Sequence, residues 1–285
     1  MWPYLALGVV GLAIGVIVNS LADNLPPDAG DVRHSPRRPR CPTCQTPHRP
    51  VYWLALAALL LRDGRCEHCG GRRRLRPALV ELAAALGTAA VWLWVNHRAA
   101  QAAEPWPAWL FALQFLGGLW LYQSFLLITV VDIEHRLILW NVVWPTALGV
   151  AALGLVLPDK GLVKTLVGGL VGYGITLGIY LLAELYSRLL HRLRGQPLEE
   201  VAFGGGDVNL AGIVGLAVGW PGIILSMLIA ILAGGAFSLV YIAAQLLRRR
   251  YSPHSAMPYG PFLVLGGLLI YFLGRDLAAF WPSAP

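Results

Sequence analysis

Charge is scarce in this chain. Of its 285 residues only 13% are Asp, Glu, Lys or Arg, whereas 57% are apolar and mean hydropathy is +0.62. Those values exclude an ordinary soluble domain of this size and place the chain in a lipid bilayer. Lysine is nearly missing, with only Lys160 and Lys164 against twenty arginines in a net charge of +7. A basic balance can point to nucleic acid. Amid so much apolar sequence it is read as topology instead, because Lys and Arg gather in cytoplasmic loops, and no nucleic-acid partner is expected. The first apolar run, 2–22, lacks a basic leading region and a clean small-residue cleavage site. It is also too long for a signal-peptide core, so it is expected to be a retained span. No glycine-rich dinucleotide-binding turn is visible, and cysteine is confined to one polar connection.

What is present is a series of apolar runs long enough to cross about 30 Å of hydrocarbon at roughly 20 residues each. They fall near 2–22, 77–96, 107–131, 138–157, 161–187, 221–247 and 258–281, with a short glycine-rich eighth near 208–220. The run 51–61 is about half a span and is expected at the interface or within the polar connection. In alternate connections stand eighteen basic residues, from Arg33 to Arg76, at Arg136, from Arg188 to Arg194 and at Arg248 to Arg250. The opposite side holds Arg98, Lys160, Lys164 and Arg275. If the short segment crosses, this bias puts both termini outside and the long polar connection in the cytoplasm. The fold class is therefore an all-α polytopic membrane protein with about eight transmembrane helices and a small cytoplasmic domain. The expected divisions are a first helix at 1–22, the polar domain at 23–76, two helices at 77–131 and a core at 132–285 with five further segments. Most tryptophans lie near the inferred interfaces, as aromatic belts do, and Gly168, Gly169, Gly172, Gly174 and Gly178 suit close helix packing in lipid.

The cysteines stand as Cys41-Pro42-Thr43-Cys44 and Cys66-Glu67-His68-Cys69. Two CxxC pairs at that separation form a zinc-ribbon pattern, in which four thiolates surround one tetrahedral Zn2+. Two disulfides are the alternative, disfavoured in a reducing cytoplasm. His48 and His68 are spare ligands beside a site that four cysteines already complete.

Two acids close or open apolar runs: Asp132, and Asp207 after Gly204, Gly205 and Gly206. Consecutive glycines let the chain bend sharply or approach a ligand closely, so Asp207 is expected at a bend, or as a helix N-cap. The topology puts both acids in one layer, at the cytoplasmic membrane boundary. An ionisable residue at bilayer depth is costly and tends to serve a purpose. Two carboxylates held close share a proton, leaving one as base for water and the other as acid for the leaving group. Glu81, one turn inside its span, either snorkels to the interface or contacts a substrate. Glu134 and His135, close to Asp132 in sequence, either tune it or, the safer reading, are solvated loop residues.

An ordered set of motifs carries a family resemblance across nearly the whole chain. Gly15-Val16-Ile17-Val18-Asn19-Ser20 with Leu25-Pro26, the CxxC pairs, Leu61-Arg62-Asp63-Gly64-Arg65-Cys66 and Arg76-Pro77-Ala78-Leu79-Val80-Glu81-Leu82 come first. Asp132 to Asn141, Gly204-Gly205-Gly206-Asp207 and Met257-Pro258-Tyr259-Gly260-Pro261-Phe262 follow. Together they resemble the type IV prepilin peptidases, which are GxGD membrane aspartic peptidases. The resemblance implies a bacterial inner-membrane enzyme that removes the short basic leader of prepilins or pseudopilins after a glycine, on the cytoplasmic side. Asp132 and Asp207 align with the family's catalytic pair. Many members also methylate the new amino terminus with S-adenosylmethionine, and Gly64, followed by Arg65 where lysine is usual, matches a position linked to that activity. Asn209 replaces a usual lysine, and Leu139-Trp140-Asn141 lacks a usual proline. Two other readings stand beside this one. They are a membrane scaffold or transporter whose zinc ribbon recruits a partner, and a GxGD peptidase with another substrate such as a preflagellin.

Overall fold

The structure, a computed structural model, describes residues 2–26, 41, 43–44, 46–47, 53–62, 65–66, 68–72, 74–157, 161–194, 204–247 and 258–280. The side chains of 2–5, 62, 190–194 and 275–280 are outside that description, as are Gly64, His48, His254 and Arg248 to Arg250. Among the described residues there are nine helices and no strand, with one isolated antiparallel bridge between Arg65 and Arg72. The helices are α1 (Trp2–Asn24), α2 (Ala55–Arg62), α3 (Arg76–Ala100), α4 (Ala108–His135), α5 (Trp140–Val156), α6 (Leu162–Arg194), α7 (Gly205–Val218), α8 (Gly222–Leu247) and α9 (Gly260–Phe280). Five of them, α1, α3, α4, α6 and α8, contain stretches long and apolar enough to cross a membrane, and α5, α7 and α9 supply shorter apolar helices. With α2 set aside, this is the expected set of eight apolar segments in a multi-pass membrane protein. In such a medium the helix is required, because hydrocarbon offers no partner for a backbone N–H or C=O.

The chain forms two compact units, Met1–His135 and Arg136–Pro285. In the first, α1 packs on α3 and α4, α3 packs on α4, and α2 lies against α3. Small residues set the spacing. A Cβ at Gly11 would stand 2.6 Å from Ala85 Cα, and one at Gly15 would stand 2.6 Å from Glu81 Cα, so α1 touches the backbone of α3. Gly87 leaves room for the Tyr122 ring of α4, whose hydroxyl donates to Ala83 O at 3.0 Å. Trp92 is not simply a belt residue, since its ring stacks edge-on against Phe111 and Phe115 at 5.3 and 5.4 Å.

In the second unit α7 is the centre, with α5, α6, α8 and α9 all packed on it. Its Val208, Leu210, Ala211, Ile213, Val214 and Ala217 are buried. At 14 residues it is about 21 Å long at 1.5 Å per residue, and its burial inside the unit explains how so short a helix is held. Gly168 and Gly172 of α6 face Gly215 and Ala211 of α7, and a Cβ at Gly215 would lie 2.1 Å from Gly168 O. Gly174 and Gly178, expected in the same packing face, have nothing within 4 Å of an added Cβ. They stand about 200° and 600° round the helix from Gly172, off the face that meets α7. Gly219, at φ +70, ends α7 in the left-handed region that glycine adopts without a Cβ clash.

Candidate active site and metal centre

Asp132 sits in the last turn of α4 and is 5% exposed. The helix stops at His135 because Arg136 turns to φ +55. A left-handed residue at that place is a common helix terminator, though an uncommon conformation for a side chain with a Cβ. Two residues beyond Asp132, Glu134 is exposed, but it is helical and paired rather than in a loop. Its Oε2 accepts from Arg76 Nη2 at 2.6 Å. Arg76, the first residue of α3, turns its Nη1 to Asp23 Oδ1 at 2.9 Å and to Asn19 Oδ1 at 3.2 Å. Asn19 in turn donates to Pro77 O at 2.9 Å. The ends of α1, α3 and α4 are thus tied together by one polar cluster.

Glu81 does not snorkel. It is 1% exposed, and its two oxygens accept from the backbone N–H groups of Ala55 and Leu56, each at 2.8 Å. Those amides are among the four that open a helix without intrahelical partners. A carboxylate there satisfies two of them and complements the positive end of the helix dipole. The polar connection is in this way seated on α3.

In the second unit Asp207 is the third residue of α7, inside the first turn and not at a bend or in the N-cap position. Its Oδ2 accepts from Gly204 N–H at 3.1 Å, which is the side-chain arm of a capping box. Gly204 holds φ −91 and ψ 153, extended backbone open to any residue. The glycine run is therefore not needed for a left-handed turn. What it supplies is closeness: a Cβ at Gly206 would lie 2.8 Å from Ile138 Cβ, whereas nothing lies within 4 Å of one at Gly205. Asn209, standing where the resemblance leads one to expect lysine, donates to Gly205 O at 3.2 Å and braces the same turn. Tyr259, just before α9, lies near enough for its phenol to feel the Asp207 charge. Reading residues one at a time missed Arg76, Ile138 and Tyr259. All three do stand in the quoted motifs, and that was the available signal.

The four cysteines converge. Their Sγ atoms lie within 4.8 Å of one another, with Cys41 to Cys69 and Cys44 to Cys66 both 3.7 Å apart. Tetrahedral thiolates at about 2.3 Å from zinc stand about 3.8 Å from each other, so the donor set fits such an ion. Tight turns build the pairs: Cys41 N–H bonds Thr46 O at 3.0 Å and Cys66 N–H bonds Gly71 O at 2.9 Å. The Cys44 backbone N–H, foremost, brings the Cys41 thiol down to about 6. The Thr46 hydroxyl lowers Cys44. Cys69 goes the other way, to about 11, because desolvation and hydrogen bonds to the other thiols outweigh the downward pull of the Gly71 amide. Four thiolates so close repel, and a divalent cation removes the conflict. Arg65 is exposed on the bridge to Arg72 beside this cluster.

Two family models match the chain. Residues 119–239, which include Asp132 and Asp207, match the type IV leader peptidase family, and residues 9–95, which include the cysteines, match the bacterial peptidase A24 N-terminal domain. The chain is 24% identical to a prepilin leader peptidase/N-methyltransferase of Legionella pneumophila over 96% of its own length and 92% of the relative's. It is 23% identical to one of Bacillus subtilis, over 86% and 85%. It is also 26% identical to one of Pseudomonas aeruginosa, over 83% and 72%. No solved structure matches it. With models of both its portions and full-length relatives in agreement, the chain belongs to the type IV prepilin leader peptidase family.

Proposed function

We propose that this protein is a membrane aspartic endopeptidase that removes the short basic leader from type IV prepilins or pseudopilins and N-methylates the new amino terminus. The observation that carries the reading is the pair of family matches, one enclosing both acids and the other the cysteine segment, backed by relatives named for both activities. Asp132 and Asp207 are assigned the catalytic roles. One carboxylate takes a proton from water as the oxygen attacks the scissile carbonyl carbon, and the other gives a proton to the departing amine as the C–N bond breaks. The excess of arginine in alternate connections supports a cytoplasmic location for the cysteine segment and for the acids, at the inner membrane. A substrate with an apolar helix reaches such a place from the bilayer.

Cys41, Cys44, Cys66 and Cys69 are assigned to a structural Zn2+, which would fix the fold of the polar connection. Methyl transfer would move the sulfonium methyl of S-adenosylmethionine to the free amine, releasing S-adenosylhomocysteine and a proton. Gly64 and Arg65 are the residues proposed for that cofactor.

The test uses full-length protein in detergent with a purified prepilin. Asp132→Asn and Asp207→Asn, each made alone, are expected to abolish cleavage while leaving the thermal transition near that of the parent. Processing at the parent rate by either variant would overturn the assignment. Mass analysis of the product terminus, with and without S-adenosylmethionine, reads methylation, and an unmodified terminus in both would remove that half of the proposal.

A further inference from the structure

Asp132 stands in a turn that backbone bonding alone holds poorly. The last four carbonyls of any helix lack intrahelical N–H donors, and terminal turns fray. Here the chain also leaves α4 through the left-handed Arg136. A reacting carboxylate needs the opposite, since misplacement by about 1 Å can cost on the order of 100-fold in rate. Something must therefore fix this turn from outside.

The geometry points to Arg76 as the positioning residue for Asp132, acting through Glu134. The guanidinium is a rigid fork of donors, and here its prongs are divided. Nη2 holds Glu134 Oε2 at 2.6 Å in the last turn of α4, while Nη1 holds Asp23 Oδ1 at 2.9 Å and Asn19 Oδ1 at 3.2 Å near the end of α1. The Arg76 side chain is 21% exposed, against 31% for Glu134 and 58% for Asp23. Asn19 is 7% exposed and donates to Pro77 O at 2.9 Å, which ties it to the first turn of α3. An isolated surface ion pair contributes about 0–1 kcal/mol and would not hold a turn. A half-buried fork with several partners, backed by a buried amide, is a network of the kind that does. Asp132 and Glu134 are two residues apart on a helix and point to different sides. Arg76 therefore orders the turn without occupying the space in which Asp132 acts. Lysine would do this only in part, since a single ammonium keeps the charge but has no planar fork to divide between two helices.

This inference rests on the assignment of Asp132 as a catalytic acid, and the experiment separates the two. Full-length protein in detergent is assayed with a purified prepilin for kcat and KM, alongside amide hydrogen exchange over residues 131–135 and the thermal transition. Arg76→Gln and Glu134→Gln are each expected to lower kcat by about tenfold or more, with KM within about twofold. Exchange in the last turn of α4 should speed up, and Arg76→Lys should fall between Arg76→Gln and the parent. The double variant should lose no more than Arg76→Gln alone, since both act through one contact. Should Arg76→Gln fail to fold, Glu134→Gln decides, because it leaves Asp23 and Asn19 on the guanidinium. Parent-level kcat in Glu134→Gln and Arg76→Gln, or losses that add in the double variant, beside an inactive Asp132→Asn, would overturn the positioning role and leave the peptidase reading intact. Cleavage by Asp132→Asn at the parent rate would remove both.

Discussion

Gly206→Ala is the sharpest test of how α7 presents Asp207. The new Cβ would stand 2.8 Å from Ile138 Cβ and 3.4 Å from both Cγ1 and Cδ1, where ordinary contact begins at 3.4 Å. The first turn of α7 or the segment before α5 must therefore yield by about 0.6 Å. Overpacking of this kind costs about 1–3 kcal/mol, partly offset by the roughly 0.5–1 kcal/mol that alanine gains over glycine in a helix. The thermal transition should thus fall only slightly. Catalysis is more sensitive, because the displaced turn carries the reacting carboxylate, and a shift of half an ångström or more should cut cleavage about tenfold or more. Gly205→Ala is the internal control: its Cβ meets nothing within 4 Å, so both rate and stability should be kept. Because the nearest obstructing atom is a Cβ, Ile138→Ala should not rescue Gly206→Ala, whereas Ile138→Gly should do so in part. The assay is prepilin processing by full-length protein in detergent, with thermal unfolding measured on the same samples. Parent-rate cleavage by Gly206→Ala, or an equal loss in Gly205→Ala, would refute this account of the glycine run.

Three further expectations follow from the packing and the polar contacts. Gly215→Ala places a Cβ 2.1 Å from Gly168 O, a backbone atom that no rotamer change can move. It should destabilise the protein by about 1–3 kcal/mol or more in thermal unfolding, with Gly174→Ala near neutral. Glu81→Gln turns an amide N–H2 toward one of the Ala55 and Leu56 donors and should cost about 1–3 kcal/mol, seen as faster amide exchange over residues 55–62. Between the Cys41 value of about 6 and the Cys69 value of about 11, the cysteine cluster holds protons that a metal must displace. Zinc uptake there should release protons, and affinity should weaken as pH falls through about 6 and Cys41 is protonated too. Calorimetry in buffers of different ionisation enthalpy measures the release, and a Cys41→Ser variant that retains full zinc affinity would contradict the four-thiolate site.

Much of the architecture was legible in the order of residues alone. Apolar runs near membrane length became helices within a few residues of the expected limits, except that α6 continues to Arg194, because hydrocarbon leaves the backbone no alternative to internal hydrogen bonding. Two CxxC pairs announced a cluster because a two-residue gap lets a tight turn bring both sulfurs to one side. Which glycines are crowded is a different kind of fact. Gly205 and Gly206 are neighbours of identical chemistry, yet only one meets Ile138, and Gly172 packs on α7 while Gly174 packs on nothing. The fates of Glu81, read as snorkelling or as a substrate contact, and of Glu134, read as tuning Asp132 or as a loop residue, likewise depended on partners 25 and 58 positions away in the chain. Composition and local spacing determine the medium, the helices and the metal-binding turns, since these depend on solvent and on near neighbours. Tertiary structure alone decides which backbone a glycine must admit and which donor a buried carboxylate meets, because those contacts form only when remote helices pack together.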